Sequence, residues 1–348
     1  MSLPPTDQEA LALPDAMLDQ DEVQKRLDAL TSQTGELSGA LDALEAWSQR
    51  QGYFAHLTRP NLYLQERDDE YGVTFRLQVN YSRLGYRPAD RMEDQPENPL
   101  CWENVASPWK PLLRAFEFES AGVRYFAHAT PFPLHKGHFV MNVRDAEPMR
   151  MDERSLREMA GFLARAPRWL AASNSDVAWA GASVLAHQHL QLFRKLSLPV
   201  ETAREAALQH HHGCTVEWLH WPCPVARLRG AQENVIVTGG ELIRRWKATD
   251  PGQATCNLLL RADGHSATAH VFLRHPDFRT PDSLRFIKSE GVGIIEVAGE
   301  IIVPPQERLS LTENRNFFRT RLLEIARGII GGNGPEFSLA ECQRLLQN

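Results

Sequence analysis

Cysteine is scarce, five in 348 residues, and Cys101, Cys214, Cys223, Cys256 and Cys342 are scattered without a Cys-x-x-Cys pair. That pattern excludes a disulfide framework and a zinc knuckle. Long apolar runs are missing too, and nothing approaches the roughly 20 residues that cross a bilayer. The first residues lack a basic patch followed by an apolar core, so no secretory signal is expected. There is no basic excess either: 38 Lys and Arg against 44 Asp and Glu give a net charge of -6, which argues against a nucleic-acid-coating surface. A local basic pocket for a small anion is compatible with that total. What is present, 43% hydrophobic and 24% charged residues, is the composition of an ordinary globular protein. A cytoplasmic enzyme is the expectation.

Residues 1 to about 22 are rich in Pro, Asp and Gln without periodicity and read as an acidic arm. Leu27, Leu30, Leu37, Leu41, Leu44 and Trp47 recur at helical spacing, so 1–50 reads as an arm plus a helical appendage. Val73, Phe75, Leu77 and Val79 alternate with polar residues as one strand, and 84–110 reads as a long loop. Strands are expected at 121–128, 137–143, 175–193, 232–238, 255–261 and 268–274. Asp152 is a candidate N-cap for a helix burying Leu156, Met159, Phe162 and Leu163. Phe318, Leu322, Ile325 and Ile329 mark a late helix, and Ser338 with Glu341 a capping box before the last one. The strand-rich order predicts an α+β fold with antiparallel sheet. Strand-turn-strand units near 121–143 and 255–274 suggest two related halves, 51–200 and 201–310, followed by C-terminal helices over 311–348. His210, His211, His212 and Cys214 put four donors on one stretch, but adjacent donors rarely converge on one ion, so an exposed polar loop is expected there and no metal ligand is assigned.

The chemistry concentrates in His187-Gln188-His189-Leu190-Gln191. On a strand over 186–193, His187, His189 and Gln191 share one face. Two imidazoles and an amide are costly to bury without partners, so such a row borders a ligand cleft. A neutral imidazole nitrogen can attack an α-phosphate, splitting one displacement into two through a phosphoramidate. The other ring nitrogen must then donate to a fixed acceptor, and Gln191 can donate to a phosphate oxygen. Upstream, Gly181-Ala182-Ser183 is a small-residue turn where backbone and hydroxyl approach a phosphate closely. Two other readings stand beside this one. Gly181, five residues, then His187-x-His189 matches the start of a cupin metal motif, although Phe193 and Arg194 occupy the positions where that motif wants a glutamate. The plainer alternative is a pair of satisfied sheet histidines.

The stretch His187-x-His189-x-Gln191 resembles the histidine-triad superfamily in its nucleotidyltransferase and phosphorylase branch. The resemblance implies His189 as nucleophile, His187 as its orienting neighbour and Gln191 as phosphate ligand. Asn174-Ser175 and Gly181-Ala182-Ser183 before the histidines, with Leu198-Pro199-Val200-Glu201 after them, resemble the GDP-hexose phosphorylases. Gln78-Val79-Asn80-Tyr81-Ser82-Arg83 resembles that group's early strand, which puts Asn80 and Arg83 near the nucleotide. Asn98 to Asn104 is similar to an element of bacterial relatives, and Thr130 to Asn142 to the strand pair before the catalytic half, with His138 supporting rather than reacting. Cys256-Asn257 and Leu273-Arg274 resemble an Asn…Arg pair of diadenosine tetraphosphate phosphorylases. Ile294 to Pro304 is similar to their closing segment. The substrate-binding set implied is Ser183, Gly181, Asn80, Arg83, Asn174, Asn257, Arg274 and His138, with Arg83 and Arg274 as cationic help for the anion. The implied reaction is phosphorolysis of a nucleoside diphosphate hexose, GDP-hexose first. Hexose-1-phosphate uridylyl transfer and dinucleoside polyphosphate phosphorolysis are the alternatives within the branch. The partners are then a nucleotide and phosphate, with no nucleic acid or membrane and room for a homodimer. No cofactor is required beyond Mg accompanying the substrate.

Overall fold

The computed structural model describes residues 13–81, 96–288, 291–306 and 308–347. Two helices open it, α1 (Gln20–Thr34) and α2 (Ser38–Arg50). They bury Leu27, Leu41, Leu44 and Trp47, helical-period positions of the sequence, and Val23 besides. Helix α3 (Glu153–Arg165) starts at Asp152, whose side chain accepts from the Ser155 N–H, and Leu156, Met159, Phe162 and Leu163 point inward.

The centre is a ten-stranded antiparallel sheet in the order β3-β4-β5-β7-β6-β11-β12-β10-β9-β8. Its strands are β3 (Phe116–Ser120), β4 (Val123–Ala129), β5 (His138–Val143), β6 (Trp169–Ser173), β7 (His189–Arg194), β8 (Glu205–His211), β9 (Cys214–Leu219), β10 (Val225–Ala231), β11 (Thr255–Ala262) and β12 (Ser266–Arg274). One face packs on α1 to α3 and on α4 (Gln232–Thr249), burying Leu190, Leu192, Leu258, Leu260 and Val271. The other face carries Phe193, Leu170, Leu259 and Phe272. It meets a three-stranded sheet of β1 (Leu62–Asp68), β2 (Val73–Val79) and β13 (Glu300–Val303). The short helix α5 (Ile294–Val297), then α6 (Leu311–Arg319), α7 (Leu322–Gly332) and α8 (Leu339–Arg344), complete the chain. Ser338 and Glu341 form the expected capping box of α8.

Read inward from its two edges, the large sheet repeats itself. Strands β3-β4-β5-β7-β6 and β8-β9-β10-β12-β11 are each three strands, a helix and two strands in the same spatial order. The opening hairpins turn alike, through left-handed Ala121-Gly122 (φ 52° and 76°) and His212-Gly213 (φ 48° and 71°). Counted from those glycines, the register runs Phe126, Asn142, His189 across the first half. Across the second it runs Glu217, Arg227, His270. His270 therefore occupies the place of His189, and Phe272 the place of Gln191.

Several expectations are corrected here. Residues 232–238 begin helix α4 rather than a strand. Val235, Ile236 and Val237 look strand-like, yet Gly239 and Gly240 let α4 press onto α3. A Cβ added there would stand 2.6 Å from Leu156 and from Glu153, so tertiary packing overrides local propensity. The run 175–193 is a strand only from His189 onward. The late helix is two, α6 and α7. The segment repeating 121–143 is found at 212–231, not at 255–274.

Candidate active site

Strand β7 begins at His189, so His187 does not stand in a row with it on one strand face. The three residues 187–189 are instead pinned one by one. The His187 ring lies against the end of β5, its Nε2 2.7 Å from the Val143 carbonyl and its Nδ1 3.2 Å from the Asn98 amide. A carbonyl only accepts, so Nε2 carries the proton and Nδ1 accepts from Asn98. Gln188 turns the other way and donates to Glu158 of α3 at 3.0 Å, while its side-chain amide oxygen accepts from the Arg150 N–H. The His189 Nδ1 is 2.7 Å from the His187 carbonyl. That bond places the proton on Nδ1 and leaves the lone pair on Nε2, the tautomer a nucleophile needs. Burial holds the His189 pKa down at about 4, opposed by the bond to His187. The ring is thus neutral at physiological pH.

Around His189 the large sheet presents further polar groups on the same face. Asn142 is its register partner on β5 and is fully buried, with neither amide atom bonded among the described residues. Leaving a buried amide unmet costs about 1–3 kcal/mol, which suits a wall that meets a polar ligand. His128 on β4 donates from Nδ1 to the Ala129 carbonyl at 3.0 Å and is held by burial at about 4. Gln191 follows two residues after His189, half-buried, and reaches the same side. The loop carrying Asn98 also brings Lys110, whose ammonium donates to the Pro99 carbonyl at 2.7 Å and is pushed down to about 8 by burial. Its charge acts on His128. Asn142, His128 and Lys110 were not singled out in the sequence. Asn142 and His128 are placed by strand pairing across the sheet and Lys110 by the fold of its loop, neither of which spacing along the chain reveals.

The remaining expected residues are mostly braces. Arg274 is fully buried and its guanidinium is consumed internally, by the Asn333 and Val292 carbonyls at 2.9 Å and by the side chains of Asn333 and Asn257. It does not serve as a free cation for phosphate. Asn257 also donates to the Ala180 carbonyl at 3.0 Å, and Asn174 accepts from the Ile294 N–H at 3.1 Å. Together they clamp the turn at 178–181 to the segment before α5. Gly181 faces backbone rather than open space, and Ser183 is exposed. Asn80 donates to Gln78, Gln78 to the Leu134 carbonyl, and the Leu134 N–H to His138. The His138 ring stacks on Phe193 at 4.2 Å. This chain of contacts ties β2 to β5 and β7. Arg83 lies outside the described residues.

Two expected results follow from this geometry. Gly181 has φ 96°, and an added Cβ would stand 2.3 Å from the Gly293 Cα. Gly181→Ala should therefore cost about 3 kcal/mol or more in urea unfolding, since backbone must move against backbone. A variant as stable as the parent contradicts this packing. The second concerns acid. Burial lowers His128 and His189 to about 4 and His270 to about 3, from an ordinary 6.5. Between those values the unfolded chain binds more protons than the folded one, so stability rises with pH. The urea midpoint should be full above pH 6.5 and fall on acidification towards pH 4, a loss on the order of several kcal/mol in all. A midpoint flat from pH 7 to 4.5 contradicts it.

No family model matches the chain. Its sequence is similar to galactose-1-phosphate uridylyltransferases. That of Streptococcus salivarius is 24% identical over 257 residues, covering 64% of this chain and 52% of the relative. That of Staphylococcus carnosus is 23% identical over 341 residues, covering 82% and 65%. The chain thus spans about half to two thirds of the length of the curated relatives it matches. Among solved structures, yeast Ap4A phosphorylase in complex with Ap4A superimposes with a TM-score of 0.55 at 11% identity, covering 84% of this chain and 95% of that one. That likeness shows the fold.

Proposed function

We propose that this chain, a member of the nucleotidyltransferase and phosphorylase branch of the histidine-triad superfamily, transfers a nucleotidyl group through a covalent bond to His189 Nε2. The observation that carries the reading is the 2.7 Å bond from His189 Nδ1 to the His187 carbonyl. It aims an unprotonated Nε2 from a buried neutral ring whose tautomer is already set. In the first step the Nε2 lone pair attacks the α-phosphorus, a P–N bond forms, and the α-phosphorus–bridging-oxygen bond breaks. The distal phosphate leaves with that oxygen and both bonding electrons. Positive charge developing on the imidazole is shared through Nδ1–H with the His187 carbonyl. In the second step an acceptor oxygen attacks phosphorus and the P–N bond returns its electrons to Nε2. Gln191 donates to a phosphate oxygen in both steps, and Lys110 supplies the positive charge that Arg274 does not.

With a GDP-hexose as donor and inorganic phosphate as acceptor, the products are a nucleoside diphosphate and hexose 1-phosphate. A second reading, uridylyl transfer to a hexose phosphate, is favoured by the activity named for the sequence relatives. A divalent ion such as Mg assists by binding the substrate's pyrophosphate and is not needed for the P–N bond. The test is intact mass after incubation with a panel of nucleotide sugars and a dinucleoside polyphosphate, without acceptor. An adduct of one nucleoside monophosphate is expected and identifies the base. Turnover with no trappable adduct under rapid quench would overturn the covalent route.

A further inference from the structure

Six strand spacings from β7, roughly 30 Å across the sheet, three metal-ligating side chains converge at the outer edge of the second half. His211 and His212 end the β8–β9 hairpin, and Glu241 faces them from α4. Both imidazoles direct Nε2 at one oxygen of Glu241, at 2.8 and 2.9 Å, and all three ligand atoms lie within 4.8 Å of one another. We propose that His211, His212 and Glu241 form a binding site for a divalent transition-metal ion of the zinc class, which clips the hairpin to helix α4.

Neighbours along a strand point to opposite faces, so two adjacent histidines should not share a ligand. They do so because His212 adopts the left-handed region, with φ 48°. A residue with a Cβ is disfavoured there, and Asn or Gly would be the easier choice. The strained residue brings the second ring onto the carboxylate. The other Glu241 oxygen is bonded by Arg245 at 2.5 Å, which fixes the carboxylate and leaves one oxygen for the ion. The His212 side chain is 52% exposed, so water completes the coordination. Two imidazole nitrogens with one carboxylate suit zinc, cobalt or nickel rather than calcium or magnesium. Cys214 is not part of the set, because its buried thiol donates to the Arg229 carbonyl.

The test titrates the purified full chain with Zn²⁺ by calorimetry, and with Co²⁺ by visible absorption. One saturable equivalent per chain is expected, unaffected by excess Mg²⁺, with Zn²⁺ raising the melting temperature. His211→Ala and Glu241→Gln should each weaken that equivalent by roughly tenfold or more and abolish the melting shift. His210→Ala, which removes an exposed imidazole outside the cluster, should leave it unchanged. Circular dichroism confirms that each variant is folded. No saturable equivalent in the parent chain, or one that survives both His211→Ala and Glu241→Gln, overturns the site. The outcome is independent of nucleotidyl transfer, since none of the three residues takes part in it.

Discussion

His189→Ala should lower turnover by at least about four orders of magnitude while the protein stays folded. The variant removes the nitrogen proposed to attack, and neither neighbouring imidazole among the described residues is placed to replace it. His187 has its Nε2 on the Val143 carbonyl and its Nδ1 on Asn98, and His128 stands two strands away on β4. The structural loss is small. The side-chain bond of His189 is to the carbonyl two residues earlier, and the register of β5, β7 and β6 rests on backbone pairing. The urea midpoint should correspond to a change within about 2 kcal/mol. Single-turnover assays with a quenched adduct measurement separate the two effects. His189→Gly, which leaves space for an imidazole, should regain activity with a nucleoside phosphorimidazolide, because that reagent enters at the second step. Near-normal turnover by a soluble, folded His189→Ala chain would remove the mechanism.

The second large effect concerns the acceptor. In phosphate-free buffer the reaction should stop at the adduct, and added inorganic phosphate should release nucleoside diphosphate at least about a hundredfold faster than water releases the monophosphate. Gln191 can donate hydrogen bonds to phosphate but cannot take a proton near neutral pH. Water would need a base at that place, whereas phosphate dianion is already nucleophilic and needs positioning. Gln191→Ala should cost roughly 10²–10³ in kcat, the scale for removing one preorganised donor. Product analysis from GDP-glucose, GDP-mannose and UDP-glucose, with phosphate or hexose phosphates as acceptor, decides between phosphorolysis and uridylyl transfer. Rapid monophosphate release without acceptor would mean hydrolysis and overturn the role given to Gln191.

What could be read from the chain was what local patterns encode. Helix α3 with its Asp152 cap, strand β2, and the last helix with its Ser338–Glu341 box all repeat their periodicity and caps in the structure. The strands that escaped notice lack a clear pattern for a physical reason. Strand β8 is an edge strand whose residues are mostly exposed, so no apolar alternation marks it. Strand β10 carries Arg227, which is buried only because Glu217 of β9 pairs with it. The site divides in the same way. His187, His189 and Gln191 stand out together because they are close in sequence, yet the expected common strand face holds only for His189 and Gln191. Asn142 reaches them through strand pairing, and Asn98 through a loop brought back onto His187. Arg274 looked like a cation awaiting a phosphate, and only its four bonds to Asn333, Asn257 and Val292 show it to be a brace.

The duplication sets a ceiling on labelling. In the second half, His270 holds the position of His189, but Phe272 stands where Gln191 does, and burial, with Arg227, Arg229 and Arg261 adding to it, holds the ring's pKa down at about 3. An attack there would lack that donor, and two of the neighbouring cations are engaged elsewhere, Arg227 with Glu217 and Arg261 with Glu201. A chain with two copies of the architecture should therefore titrate as one catalyst, with a burst amplitude equal to the number of polypeptides rather than the number of halves.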